Sequence, residues 1–239
     1  MVQQKTQNPG TLDHPQLTGA ILAGGYSRRL GQDKATLPLL GKPLVRWVAE
    51  ALAPMAAECW LITNHPRDHL PLGLPLVTDL WPFQGPAGGL LTALFYARTP
   101  WVLAAAVDNP FLAPKLVAEL TARAARTSRP AVVCQSPWGL EPFPGLYAVR
   151  LLPQLTAFLK SDRRPTRFLS VCRPEIIPPE AVHQLDPEGR SFFNLNTPED
   201  LARAITWLNQ GAGAAGPLGR RPDRIAGSAP GIMSPRPAP

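Results

Sequence analysis

Short apolar runs alternate along this chain with longer stretches in which apolar positions recur every three or four residues. Residues 19–23, 59–63, 76–78, 102–107, 131–134 and 145–149 read as strands. The run at 102–107 has no polar position on either face, as expected of a strand in the middle of a parallel sheet. Residues 44–53, 87–97, 114–126, 151–159, 166–172 and 198–209 read as helices, several opened by proline, which suits a helix's first turn. Before the last one, Thr197, Pro198 and Asp200 form a capping-box variant with Asp in place of Glu. Strands alternating with helices of this length predict an α/β fold with a mostly parallel central sheet.

The periodic pattern occupies residues 18–210. Residues 1–17 are polar and aperiodic, and residues 211–239 hold six Gly and six Pro in 29 positions. Neither stretch can bury enough apolar surface to offset its ordering entropy, so both are predicted to be disordered tails around one domain. Of the net charge of +7, the C-terminal tail supplies +3 through Arg220, Arg221, Arg224 and Arg236 against Asp223. No basic stripe with interleaved aromatics remains, which argues against nucleic acid as a partner. The 30 prolines are spread along the whole chain, so they punctuate a fold rather than form a PxxP track. Cys59, Cys134 and Cys172 lie far apart without CxxC spacing, against a disulfide framework or a cysteine-held metal. No apolar export segment or membrane-length run is present in the sequence, and we expect a cytoplasmic protein.

The densest chemistry follows the first predicted strand: Leu22-Ala23-Gly24-Gly25-Tyr26-Ser27-Arg28-Arg29-Leu30-Gly31-Gln32-Asp33-Lys34. Adjacent glycines let the backbone turn sharply and present successive N–H groups to an anion. Ser27 adds a hydroxyl, Arg28 and Arg29 two cations, and Lys34 a mobile point charge. Together they favour polyphosphate over a plain strand-to-helix joint. The spacing is neither a Walker A loop nor a GxGxxG dinucleotide fingerprint.

This loop resembles the LAGGxSxRxGxDK signature of molybdenum cofactor guanylyltransferases, in the nucleotide-diphospho-sugar transferase-like superfamily, and meets every fixed position. The resemblance continues through Gly41-Lys42-Pro43-Leu44, Thr78-Asp79, Gly85-Pro86-Ala87-Gly88-Gly89 and Asp108-Asn109-Pro110-Phe111. It ends with residues 141–147 and 193–200. It implies a single-domain, three-layer α/β/α, Rossmann-like nucleotidyltransferase domain over residues 18–210. The implied substrates are GTP and molybdopterin-bound molybdenum, with Mg²⁺ as cofactor. GMP passes to the pterin's terminal phosphate, yielding a guanine dinucleotide cofactor and pyrophosphate.

The resemblance also distributes roles. Leu22, Ala23, Gly24, Gly25, Ser27, Arg29, Lys34, Asn64, Asp79 and Asp108 are expected at the nucleotide, with Arg29, Lys34 and Asp108 catalytic. Glu141, Tyr147, Asn194 and Asn196 are expected toward the acceptor. Asp108 ends the apolar run, where ligands gather in an open parallel sheet, and suits Mg²⁺; a helix N-cap is the plainer reading. Asn109 stands where the family commonly has an apolar residue, which leaves the local packing open. Arg163, Arg164 and Arg167 fit a phosphate or a solvated surface equally well. His65 and His69 are four apart, but with no third ligand they read as surface loop, and Cys134 and Cys172 as small core residues.

Cytidylyl transfer to the same pterin, sugar-phosphate nucleotidylyl transfer and a non-catalytic binding protein on the same fold are the competing readings. Gly25 favours guanylyl transfer over the first, whose members resemble LAAG here. Lys34 and Asp108, which a non-catalytic relative would be expected to lose, are both present. We expect a monomer that makes transient contact with other molybdenum cofactor biosynthesis proteins or with the apoenzymes that accept the product.

Overall fold

A computed structural model describes residues 17–23, 26, 27 and 32–210, with backbone alone at 26 and 27. The two tails, together with Gly24, Gly25, Arg28, Arg29, Gly31 and the side chain of Ser27, lie outside the described residues.

The described residues open with β1 (Leu17–Ala23), then two small ribbons, β2 (Tyr26–Ser27) with β3 (Gln32–Asp33) and β4 (Pro38–Leu39) with β5 (Lys42–Pro43). The first half continues with α1 (Leu44–Leu52), β6 (Glu58–Thr63), α2 (Pro66–His69), β7 (Leu76–Thr78), α3 (Gly85–Tyr96) and β8 (Trp101–Ala106). The second half holds α4 (Pro114–Ala124), β9 (Ala131–Ser136), β10 (Gly139–Ala148), α5 (Leu152–Phe158) and α6 (Pro165–Cys172). It closes with β11 (Glu175–Ile177), α7 (Pro179–Leu185) and α8 (Pro198–Gln210). The proline content has its explanation here. Helices α2 to α7 each carry proline in their first two positions and α8 starts on Pro198, where the missing N–H costs nothing.

Seven strands form one sheet in the order β11-β9-β10-β8-β1-β6-β7. All neighbours are parallel except β10, which runs antiparallel to both β8 and β9. The interior strand expected at 102–107 is β8, and it has one parallel and one antiparallel neighbour. Alternation along the strands sorts the core into two faces. Leu17, Ile21, Leu103 and Ala105 pack with α1, α4 and α7; Ala20, Leu22, Val102 and Ala104 pack with α3, α5 and α6. The result is a three-layer α/β/α domain, as the Rossmann-like expectation holds. A third cluster joins Leu37, Leu39 and Leu44 to Phe193, Leu195 and the α8 residues Ala204 and Trp207.

Two glycines mark close approaches at the sheet. A Cβ on Gly89 of α3 would stand 3.2 Å from Leu22 Cδ2 and 3.7 Å from Asp79 Oδ1, so this helix seats directly over the ends of β1 and β7. A Cβ on Gly145 would stand 2.5 Å from the Pro142 carbonyl, where β10 changes register between Glu141 and Gly145.

Candidate active site at the carboxyl edge of the sheet

Strands β1, β6, β7 and β8 end at the same edge, where short backbone bonds tie their exits together. Val107 N–H donates to Leu22 O at 3.2 Å, and Asp79 N–H to Thr63 O at 3.1 Å. Because β10 runs the other way, its beginning rather than its end lies here, which brings Glu141 toward this edge and leaves Ala148 at the opposite one, beside Trp101.

Lys34 is the centre of the cluster. It follows β3, and its ammonium donates to Asp108 Oδ2 at 2.7 Å and to Asn196 Oδ1 at 2.5 Å. The Lys34 and Asp108 side chains are 12% and 20% exposed, so the pair is largely withdrawn from water while still reachable. Asp108 follows β8 and Asn196 precedes α8. These two segments are joined by Leu195 N–H to Asp108 O at 2.9 Å. Asn109 supplies the second tie. It is buried, and its amide nitrogen lies 3.3 Å from the Ser191 carbonyl and 3.2 Å from the Phe193 carbonyl. A polar residue therefore replaces an apolar one because its two amide hydrogens satisfy two buried acceptors. Asn196 is held in turn by Asp200, whose Oδ2 accepts the N–H groups of Asn196 and Thr197 at 3.0 and 2.9 Å. Thr197 Oγ1 accepts from Asp200 N–H at 3.2 Å, the reciprocal cap read from the sequence. Asn194, by contrast, donates to the Phe192 carbonyl at 3.2 Å.

A second group of polar residues gathers at the ends of β6 and β7. Asp79 is buried, and burial raises its carboxyl above the ordinary value, although hydrogen bonds from Thr92 and Asn64 pull it down. Thr92 Oγ1 lies 3.2 Å from Asp79 Oδ1 and accepts from Leu80 N–H at 3.0 Å. Asn64 Oδ1 is a buried acceptor with no partner among the described residues. Leu22 and Ala23 form the end of β1 nearby.

Two expectations need correction. Tyr147 does not face an acceptor: it is 1% exposed, its hydroxyl donates to Pro142 O at 2.6 Å, and its ring packs against Phe143. Its place near the end of β10, paired with Val102 of β8 on one side and Ala131 of β9 on the other, turns it into core. His69 is not a surface residue. The single turn α2 carries it inward to 0% exposure with Nε2 3.1 Å from Asp33 Oδ1, whereas His65 stays exposed. Of the three arginines left open, Arg164 and Arg167 pair with Asp162 at 2.7 and 3.2 Å on the exposed surface. Glu141 is buried with an oxygen 2.7 Å from Ser136 Oγ. Cys134 and Cys172 are free, buried thiols, as read from the sequence; burial pushes them up to about 12 and about 11.

Comparison with known proteins fits this geometry. Residues 19–176 match the family model described as the MobA-like NTP transferase domain. A molybdenum cofactor guanylyltransferase of Vibrio cholerae is 32% identical over 201 residues, covering 83% of this chain and 96% of the relative. One from Cereibacter sphaeroides is 35% identical over 202 residues, covering 82% of this chain and all of the relative. Among solved structures, molybdopterin-guanine dinucleotide biosynthesis protein A from Archaeoglobus fulgidus superposes with a TM-score of 0.71 at 28% identity. That match covers 81% of this chain and all of the other. A CMP:2-keto-3-deoxy-manno-octonic acid synthetase, 15% identical with a TM-score of 0.63, shares the fold.

Proposed function

The chain belongs to the MobA-like NTP transferase family, and on that premise we propose that it transfers GMP from GTP to molybdopterin-bound molybdenum and releases pyrophosphate. The observation that carries the reading is the Lys34 ammonium held between Asp108 and Asn196 at the carboxyl edge of the sheet.

In this transfer an oxygen of the pterin's terminal phosphate forms a bond to the α-phosphorus of GTP. The bond from that phosphorus to the α–β bridging oxygen breaks, and pyrophosphate leaves with the electron pair. The attacking phosphate is already ionised near neutrality, so no general base is needed. The obstacle is charge. Two unit charges 4 Å apart repel by roughly 4 kcal/mol at an effective dielectric of 20. Lys34 answers that repulsion from a site largely closed to water, and Arg29 of the glycine loop is assigned the same task.

Asp108 and Asn196 present a carboxylate and an amide oxygen beside the Lys34 ammonium, and their further lone pairs can accept a second cation there. Such hard donors suit Mg²⁺ when phosphate oxygens complete the shell. Among the described residues no group of three or more His, Cys, Asp or Glu is placed to hold a metal ion. We assign Asp108 and Asn196 as the residues that would hold Mg²⁺, which when bound neutralises triphosphate charge. Asn64 and Asp79 are assigned to the base, since guanine presents N–H donors that a free amide oxygen and a carboxylate can accept. Glu141 and Asn194 are kept on the acceptor side. The active unit in this reading is a cytoplasmic monomer that meets acceptor apoenzymes or companion biosynthetic proteins transiently. No helix among the described residues is long and apolar enough to cross a membrane.

The test is transfer by the purified protein with Mg²⁺, molybdenum-loaded pterin and each of GTP, CTP and ATP. GTP is expected to give the highest specificity constant. A higher constant for CTP, or no transfer from any nucleotide, would overturn the reading.

A further inference from the structure

His69 is an imidazole with no exposed surface, carried on the single turn α2 between β6 and β7. Its Nε2 lies 3.1 Å from Asp33 Oδ1. The same carboxylate oxygen accepts the Ala35 N–H at 2.7 Å, and the Asp33 carbonyl accepts the Thr36 hydroxyl at 3.2 Å. Asp33 is also the returning stem of the glycine loop, paired with Tyr26 across the β2–β3 ribbon. Between Asp33 and Ala35 stands Lys34.

Burying an imidazole beside a carboxylate costs desolvation of both groups, and an aliphatic side chain would fill the space without that cost. The gain must come from what the contact fixes. Burial by itself would raise the Asp33 carboxyl. The His69 contact and the Ala35 and Thr36 amides outweigh it, and the carboxyl lies below its ordinary value. Asp33 is therefore a well-held anion. One face grips the turn that projects Lys34, and the other rests on a group anchored in the body of the domain.

We infer that His69 is a positioning residue: acting through Asp33, it fixes the stem of the glycine loop and so sets where the Lys34 ammonium stands between Asp108 and Asn196. This rests on the guanylyl transfer reading for its kinetic consequence, but not for its structural one. A displacement of about 1 Å at a catalytic group can cost up to ~10²-fold in rate. Asn64 and Asp79 stand at the ends of β6 and β7 rather than on α2, so the base contacts should be spared.

His69→Leu should lower kcat about tenfold with the GTP KM moving less than threefold. His69→Gln keeps an N–H where Nε2 was and should recover most of the rate. His69→Asn, whose amide reaches only the Nδ1 position, should not. Adding His69→Leu to Asp33→Asn should cost nothing further. A second measurement needs no turnover: in folded protein of parent-like melting temperature, trypsin should cut after Arg28 and Arg29 faster in His69→Leu and at the parent rate in His69→Gln. If the parent itself transfers nothing from GTP, the functional reading has failed and the digestion alone decides on His69. Parent-like kcat and digestion in His69→Leu, or equal losses in the Gln and Leu variants, would overturn the inference.

Discussion

The backbone N–H of Leu195 meets the carbonyl of Asp108 at 2.9 Å, and on either side of that bond hang the two oxygens that hold the Lys34 ammonium. One peptide contact thus sets the spacing of a carboxylate and an amide that come from distant parts of the chain. Asn109 reinforces it by reaching the carbonyls of Ser191 and Phe193.

Breaking that reinforcement should be measurable as stability. Asn109→Leu leaves two buried carbonyls without their donor, at a cost of about 1–3 kcal/mol. For a domain of this size that corresponds to a melting temperature lower by roughly 2–12 °C. Transfer should suffer too, since the displaced segment carries Asn196. An unchanged thermal midpoint would show that water replaces the amide.

Lys34→Ala should fold and lose roughly 10²–10³-fold in turnover, the scale for removing a group that stabilises charge in the transition state. Steady-state kinetics with GTP, alongside a thermal melt, separate this from unfolding. Parent-like turnover would take the ammonium out of the chemistry.

Asp108→Asn keeps the size of the side chain and its acceptor for Lys34, and removes its charge. Mg²⁺-dependent transfer should fall severely, while GTP binding without Mg²⁺ should change little or improve. Retention of Mg²⁺-dependent transfer near the parent rate would move the ion to another carboxylate, Asp79 first.

Asp79 should show opposite pH trends in stability and in binding. Its native carboxyl is raised by burial, so the native state holds this proton more tightly than the unfolded chain does. Its contribution to stability is complete below the unfolded value of about 4 and is lost as pH rises through the raised native value. The stability of the parent relative to Asp79→Asn should therefore decline over that interval. GTP affinity, which needs the carboxylate, should increase over it. Parallel curves for the two proteins in thermal melts would sink the assignment.

Truncation after Gln210 should leave both melting temperature and transfer near those of the full chain. The buried face of α8 ends at Trp207, packed on Phe193 and Phe111, three residues before the cut. A large loss of either would show that residues 211–239 dock.

Much of this was legible in the residues. Strands β1, β6, β8 and β9 announce themselves as apolar runs, and Asp108 as the first polar residue after one of them. The first half of β10 was hidden because Pro142 and Pro144 argue against a strand, yet they are accommodated where its register shifts. β11 was missed because it opens on the charged Glu175 between Pro174 and Pro178, and α7 because seven residues behind two prolines carry too little period to read. Long-range pairs were beyond reach altogether. Nothing local distinguishes His69 from His65; only Asp33, 36 positions earlier, explains its burial. Tyr147 misled for the opposite reason: it sits in a motif, but its neighbours in the sheet make it core.

Lys34 and Asn196 are 162 positions apart. At roughly 5–20 residues per second, a ribosome delivers the second about 8–32 s after the first. By the end of that interval a growing chain has the glycine loop and the central strands but still lacks the residue that completes the cation's cradle. Catalytic competence is therefore a late event in the birth of this protein, and a nascent chain halted before residue 190 would carry a nearly finished sheet with no working centre.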